Sequence, residues 1–232
     1  MTNIAAIDKN VHKHTKIKPD NCYGHSKNRH FTVLTVQEFV PASQDFPILF
    51  IKNSETGQIS PIALFGFKQE QNLFYSPDGW QGMYVPRSLA LYPFMLHQPK
   101  DSDDAILCFD QASDLVNDEE GHALFDESGE QTDWLRNHTE QVVRHVENNM
   151  ATVRFVKMLT DYELLSAKTL NLKLANGEEI SLTGLYAIDE QKLNALPSGD
   201  FEQLRQTGAL PAIYASLLSM QKIQSLIVKH QS

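Results

Sequence analysis

The chain has no apolar run of the length that a membrane span requires. A transmembrane helix needs roughly 20 consecutive apolar residues, and the apolar stretches here are short and separated by turn-forming residues. The N-terminal sequence MTNIAAIDKNVHKHTKIKPD is polar and contains neither an apolar signal core nor a small-residue cleavage site. We therefore expect a soluble, cytoplasmic protein without a membrane span.

Cysteine is scarce as well, since Cys22 and Cys108 are the only two in 232 residues. Two scattered thiols in a chain of this size are typical of reduced, incidental cysteines. Cys108 lies in the apolar run AILCF, where a thiol is usually buried and inert. The cysteine content agrees with a reducing compartment.

Positive charge is missing from the middle of the chain. Residues 101–133 contain 12 Asp and Glu residues and no Lys or Arg, whereas residues 1–30 carry six Lys or Arg and two Asp. The net charge of −9 disfavours binding to a phosphate backbone, which needs clustered cations, so we expect no nucleic-acid partner. The basic and acidic segments are either two solvated surfaces or a pair that attracts each other, within the chain or between subunits.

Signatures of catalysis, cofactor binding and metal binding are also missing. The sequence contains no nucleophile elbow, P-loop or Gly-x-Gly-x-x-Gly turn. Nothing in the spacing of the N-terminal histidines fixes a metal site, and we interpret these as surface residues: His12, His14, His25 and His30. We expect no cofactor and no metal. His138 and His145, seven residues apart on a predicted helix, are expected on a solvated face.

Short apolar runs between turn residues begin at Phe31 and predict a sheet. The predicted strands are residues 31 to about 41, 48–51, 62–67, 73–75 and 105–109. Runs that are apolar at every position are typical of strands covered on both faces. The turn residues at 53–57 predict that the second and third strands form a hairpin.

Helical spacing dominates from Asp133 onward. Residues 133–165 predict a long helix with a candidate break at Asn148–Asn149. Pro86 and Pro93 bracket a helix of one or two turns. Asn176-Gly177 is the best two-residue hairpin signal in the chain.

These elements predict an α+β fold. We expect a mostly antiparallel sheet from the N-terminal half, packed by C-terminal helices, with a small additional hairpin at Asn176-Gly177. Residues 1–30 contain few apolar positions and are expected to form a mobile or loosely docked basic arm. Residues 31–232 are expected to form a single domain, with a candidate lobe break near residue 133.

Aromatic residues with polar tips follow the predicted strand at 73–75. Trp80 lies in a Gly-flanked turn, and turns are surface features. Each member of the group needs a partner or water for its polar atoms, and we take these four as candidate binding residues: Trp80, Tyr84, Arg87 and Tyr92. They either pack at the wet edge of the core or line a pocket or protein-contact patch, where aromatic residues and Arg are enriched.

Seven phrases occur in order through the chain: EFVPASQDFPILF, PIALFGF, NLFY, GWQGMYVPRSLALYPF, LFDESGEQT, LTGLYAIDEQKL and GALPAIYASLLS. Through them, residues 31 to about 226 resemble the SapC family of bacterial proteins. The family name comes from an association with bacterial surface layers, and relatives often lie in gene neighbourhoods with outer-membrane receptors, flavin halogenase-like proteins and cupin-like proteins. The resemblance implies involvement in nutrient uptake or small-molecule processing, and it assigns no catalytic residue.

We expect a cytoplasmic, non-enzymatic binding or accessory protein, with a protein partner or small-molecule ligand at the aromatic-Arg patch. A first alternative is an enzyme of unfamiliar type acting on an amino acid, peptide or sugar derivative. Its acid or base would be Glu38, Asp78 or Asp110, provided that burial or a neighbour shifts the carboxyl pKa. A second alternative is a surface-layer-associated structural protein.

Overall fold

The computed structural model describes residues 2–99, 105–174 and 177–231. Within these ranges the strands in chain order are β1 (Ile4–Ala6), β2 (Lys16–Ile17), β3 (Phe31–Val33), β4 (Ile48–Lys52), β5 (Ile59–Leu64), β6 (Phe94–His97), β7 (Ile106–Asp110), β8 (Val116–Asn117), β9 (His122–Ala123), β10 (Leu165–Lys173) and β11 (Glu179–Ile188). The helices are α1 (Phe39–Ala42), α2 (Arg87–Ala90), α3 (Asp133–Asp161), α4 (Glu190–Asn194), α5 (Ser198–Gln206), α6 (Leu210–Ser219) and α7 (Lys222–Gln231). Two 3-10 turns span Gly24–Ser26 and Val36–Glu38.

The strands form three sheets in which every pairing is antiparallel across the described ranges. The central sheet has the order β10-β11-β4-β5-β3, and two smaller sheets have the orders β1-β7-β6 and β8-β2-β9. Helices α3 to α7 supply most of the helical residues and belong to the C-terminal half. The predicted α+β fold with antiparallel sheets and C-terminal helices is confirmed.

The hairpin of β4 and β5 forms the middle of the central sheet, as predicted. Asn53 accepts hydrogen bonds through Oδ1 from the backbone N–H groups of Glu55 and Thr56, and Gly57 has a positive φ of 72°. The turn therefore uses an Asx geometry and a glycine to reverse the chain.

The hairpin of β10 and β11 is an integral part of the same sheet. Leu185 pairs with Ile51 and Tyr186 pairs with Phe50, so β11 lies directly beside β4. The prediction of a small additional hairpin is therefore corrected: its strands widen the central sheet. Of the predicted turn pair, Asn176 lies outside the described residues and Gly177 has a positive φ of 85°.

Two predicted strands differ in the structure because side chains bond to the local backbone. The strand predicted from residue 31 to about 41 stops at Val33, because Glu38 accepts from Thr35 and forms the 3-10 turn Val36–Glu38. Residues 73 and 74 of the strand predicted over 73–75 form a turn, since Asn72 accepts through Oδ1 from the N–H of Phe74. Hydrophobic periodicity does not reveal either turn.

The N-terminal segment, whose composition predicts a mobile or loosely docked arm, is paired into two of the sheets. Strand β1 pairs with β7, and β2 lies between β8 and β9. Lys18 forms an ion pair of 2.8 Å with Glu120, so the basic segment meets the acidic middle within the chain. Strands β1 and β2 therefore pair with strands about a hundred positions away.

Helix α3 continues through Asn148–Asn149 without the candidate break. Its N-terminal part packs on a core cluster that contains Leu91, and its C-terminal part on a larger cluster that contains Leu89. The short helix α2 therefore joins the two clusters beside the middle of α3. None of the helices in the described ranges combines the length and the apolar composition that a bilayer crossing demands.

Candidate functional site

A cleft of about 280 Å³ opens where the 3-10 turn Val36–Glu38, α2 and α3 meet. The N–H of Val36 donates to Thr152 Oγ1 at 2.8 Å, which fixes the turn against α3. We call this the Glu38 cleft, and its lining residues are Gln37, Glu38, Pro41, Tyr84, Arg87, Gln141, Arg144, His145 and Asn148.

Glu38 is the buried centre of the cleft wall, with 3% of its surface exposed. Oε2 accepts from the backbone N–H and the hydroxyl of Thr35, both at 2.8 Å. Oε1 accepts from the Tyr84 hydroxyl at 3.0 Å and from the Arg87 N–H at 2.7 Å. Four donors therefore satisfy the carboxylate, as a buried charge requires.

Tyr84 closes one side of the cleft as a neutral phenol. Burial, followed by the nearby charge of Glu38, raises the pKa of Tyr84 well above its usual range. Its backbone N–H donates to Asp45 Oδ2 at 2.7 Å. Tyr84 is thus held at both its backbone and its hydroxyl, which stays protonated and donates a hydrogen bond to Glu38.

Arg87 begins α2 and extends over the cleft with an exposed side chain. Its Nη1 donates to Gln141 Oε1 at 3.4 Å, which connects α2 to α3. This bond is long, and the guanidinium also lies close enough to the Tyr84 hydroxyl to act on its pKa.

Helix α3 contributes four polar side chains to the cleft at the spacing i, i+3, i+4 and i+7, which places them on one face: Gln141, Arg144, His145 and Asn148. Burial lowers the pKa of His145, while the charges of Glu38 and Arg87 act on it in opposite directions. Within the described ranges, the buried Nδ1 of His145 has no hydrogen-bond partner. The prediction of a solvated face for this residue is corrected, because its ring lines the cleft wall.

The sequence profile of the SapC family matches residues 7–226 of the chain. The protein belongs to the SapC family. The match begins before residue 31 and includes β2, which pairs with β8 and β9, whereas β1 lies outside it. No curated protein and no solved structure matches the chain.

In this SapC-family chain the four residues predicted as a binding patch do not share one cavity. Tyr84 and Arg87 line the Glu38 cleft. The Trp80 ring packs against core phenylalanines at centroid distances of 5.5–6.2 Å, and its Nε1 donates to the Tyr84 carbonyl at 2.8 Å. Trp80 therefore supports the loop that carries Tyr84.

Tyr92 belongs to a separate region beyond α2. Its ring stacks on His25 with a centroid distance of 4.0 Å, and its hydroxyl lies 3.5 Å from Asp110 Oδ2. It lines two other cavities, both of which also contain Asp20. The structure thus divides the predicted group, keeping Tyr84 and Arg87 together and assigning Trp80 and Tyr92 to other surroundings.

The three carboxylates considered for acid–base chemistry are separated in the same way. Glu38 lies in the cleft, Asp78 is exposed in the loop before Trp80, and Asp110 ends β7. Asp110 is buried and accepts through Oδ1 from the N–H of Asn3 at 2.7 Å. In the described ranges, no three His, Cys, Asp or Glu side chains are grouped so as to hold a metal ion.

Sequence reasoning missed the contribution of α3 to the site. Gln141, Arg144 and Asn148 were not named, and His145 was considered only together with His138. Their polar i, i+3, i+4, i+7 spacing was visible in the sequence. The same pattern is typical of a solvated helix face, so it could not be interpreted without knowing that Glu38 packs beside it.

Proposed function

We propose that the protein is a cytoplasmic, non-enzymatic binding protein that holds small anionic molecules in the Glu38 cleft. Two guanidinium groups and one carboxylate line the cleft, and the carboxylate is already bonded to four donors. The charge that remains available to a ligand is therefore positive, which favours an anion. Arg is suited to planar carboxylate or phosphate groups because it donates several hydrogen bonds in a fixed geometry.

The observation that carries this proposal is that, among the described residues, the guanidinium groups of Arg87 and Arg144 have no ion-pair partner. Arg136 and Arg205, by contrast, pair with Asp133 and Glu202. Two unpaired guanidinium groups beside the unpartnered Nδ1 of His145 are an arrangement that a carboxylate or phosphate ligand would satisfy.

The state of Glu38 supports binding over catalysis. A general base must offer an oxygen to the proton that it removes, but both oxygens of Glu38 accept two hydrogen bonds each. Tyr84 is held neutral by its raised pKa. Both residues are thus suited to holding the cleft in shape, and the arginines are left to contact the ligand.

A cytoplasmic location is part of the same proposal. Cys22 and Cys108 are both free thiols, and unpaired cysteines are usual in reducing compartments. Involvement in nutrient uptake or small-molecule processing, which the family resemblance implies, would agree with an anion-binding role.

Isothermal titration calorimetry with succinate, a small dicarboxylate, tests the proposal. We expect saturable binding to the wild-type protein that Arg144→Gln weakens at least tenfold, because a charge-assisted hydrogen bond is lost. Arg136→Gln is the matched control, since it removes the same charge from an exposed position on the same helix. Equal affinities in the two variants, or no binding of succinate or inorganic phosphate to the wild type, would contradict the proposal.

A further inference from the structure

A larger cavity lies beside the Glu38 cleft and has the opposite chemical character. It encloses about 570 Å³, within the range of cavities that hold small molecules. We call it the apolar groove. Its walls come from the segment that contains Val36 and Val40, from α3, and from residues 207–212 before and at the start of α6.

The groove is lined mainly by apolar residues. Helix α3 contributes Ala151, Phe155 and Met158, which follow one another over about 10 Å of helix axis at 1.5 Å per residue. The opposite wall has small residues, and a Cβ at Gly208 would meet no atom within 4 Å. Among the described lining residues Arg154 is the only charged side chain, so the groove contains no anion that would repel a negatively charged ligand.

The cleft and the groove are neighbours along two elements. Gln37 lines both cavities and is exposed. Helix α3 contributes Asn148 to the cleft and Ala151 to the groove, and these positions are three residues, or about 4.5 Å, apart along the axis. A cationic cavity and a mainly apolar one are thus neighbours that share the exposed residue Gln37.

We propose that the cleft and the groove form one binding site for a free amphipathic anion. Its carboxylate or phosphate head binds Arg87 and Arg144 in the cleft, and its unbranched apolar chain lies in the groove along α3. This inference rests on the proposed anion-binding function and names the class of its ligand. The apolar chain supplies binding energy by leaving water, and the head fixes its orientation through charge-assisted hydrogen bonds.

Calorimetry with dodecanoate, below its micelle concentration, tests this pairing of cavities. We expect dodecanoate to bind at least tenfold more tightly than succinate, with a more negative heat-capacity change because apolar surface is buried. Val40→Glu puts a negative charge into the groove. We expect it to weaken the binding of dodecanoate at least tenfold and to leave the affinity for succinate unchanged. Val153→Glu is the matched control, because Val153 is 53% exposed against 54% for Val40 but does not line the groove.

The outcomes separate this inference from the proposed function. In a first outcome, succinate binding depends on Arg144, but dodecanoate binds no more tightly than succinate and its affinity is unchanged by Val40→Glu. This result would support the anion site and overturn the proposal of an amphipathic ligand. In a second outcome, Val40→Glu and Arg154→Gln lower the affinity for dodecanoate but Arg144→Gln does not. The carboxylate head would then lie in the groove, and the proposal that cleft and groove form one site would be overturned. If neither ligand binds, both proposals fail.

A co-sedimentation experiment with lipid vesicles distinguishes binding of a free ligand from binding of a lipid in a membrane. Wild-type protein is expected to stay in the supernatant when vesicles of phosphatidylglycerol and phosphatidylcholine are sedimented. Sedimentation that Val40→Glu abolishes would show that the groove binds lipid in a membrane, which would overturn the assignment of a free molecule.

Discussion

Glu38 is a buried titratable group bonded to the first residue of α2, and His25 is a half-buried one that stacks on Tyr92 just after α2. Their surroundings differ in one respect. The carboxylate of Glu38 accepts four hydrogen bonds of 2.7–3.0 Å. In the described ranges neither ring nitrogen of His25 has a hydrogen-bond partner, and Asp20 Oδ2 is 3.6 Å from Nδ1. Burial lowers the pKa of His25 to about 4.

The comparison shows that the effect of burial on a titratable group depends on the hydrogen-bond partners that the fold provides for it. A buried charge with a full set of donors stabilises the elements that carry those donors. A buried imidazole without them is kept neutral and resists protonation. We therefore expect the Glu38 side of the molecule to determine stability and ligand binding, and the His25 side to determine sensitivity to acid.

Glu38→Ala should produce the largest effect. It leaves several buried donors without an acceptor, so we expect the free energy of unfolding to fall by about 3–5 kcal/mol. Urea denaturation measures the change, and Glu140→Ala, at an exposed position on α3, should change stability by less than about 0.5 kcal/mol. Similar losses in both variants would show that Glu38 does not hold the cleft together.

Tyr84→Phe should have the next largest effect. It removes the hydroxyl that donates to Glu38 at 3.0 Å, and a hydrogen bond to a charged group contributes about 1.5–3 kcal/mol. The same urea experiment measures the loss. An unchanged midpoint would mean that the phenol adds nothing to the stability of the carboxylate.

The lowered pKa of His25 should make the free energy of unfolding depend on pH. The pKa of His25 is about 4 in the fold against 6.5 ordinarily, so between these values the unfolded chain takes up a proton that the folded chain does not. The free energy of unfolding should therefore decrease as pH falls through this window, by at most about 1.4 kcal/mol per pH unit from this residue. Denaturation curves at several pH values should show a smaller slope in His25→Gln, while a variant of the exposed His14 keeps the wild-type slope. A wild-type slope in His25→Gln would contradict the assignment.

Tyr92→Phe should have the smallest effect and completes the comparison with Tyr84. The Tyr92 hydroxyl lies 3.5 Å from Asp110 Oδ2, at the limit of a hydrogen bond. We expect its removal to change the free energy of unfolding by less than about 0.5 kcal/mol, as the stacked ring on His25 is retained. A loss as large as that of Tyr84→Phe would show that bond length does not distinguish the two phenols.

The parts of the fold that sequence predicts are those determined by local signals. The β4–β5 hairpin follows from two apolar runs and an Asx turn, and α3 follows from helical spacing. The pairing of β1 and β2 with strands about a hundred residues away has no local signal, so composition alone indicated a loose arm. The turns at Glu38 and Asn72 depend on side-chain bonds to the backbone, which periodicity does not register.

Two of the four residues predicted as a binding group, Tyr84 and Arg87, line the candidate site. All four residues could be selected from the sequence because the polar atoms of their side chains need hydrogen-bond partners. The polar atoms of Trp80 and Tyr92 find these partners outside the cleft. The sequence does not show which of these polar side chains lie close together in the fold, because that depends on how α2 packs against α3. Arg144 and His145 became recognisable only once Glu38 was known to lie beside them.

An NMR titration of the histidine ring signals tests the central claim most directly. Burial lowers the pKa of both His145 and His138, both lie on α3, and only His145 lines the Glu38 cleft. A bound anion favours the protonated ring, so saturating succinate should shift the His145 signals and raise the pKa of His145 while leaving His138 unchanged. Unchanged His145 signals, or equal shifts in both rings, would contradict an anion site in the cleft.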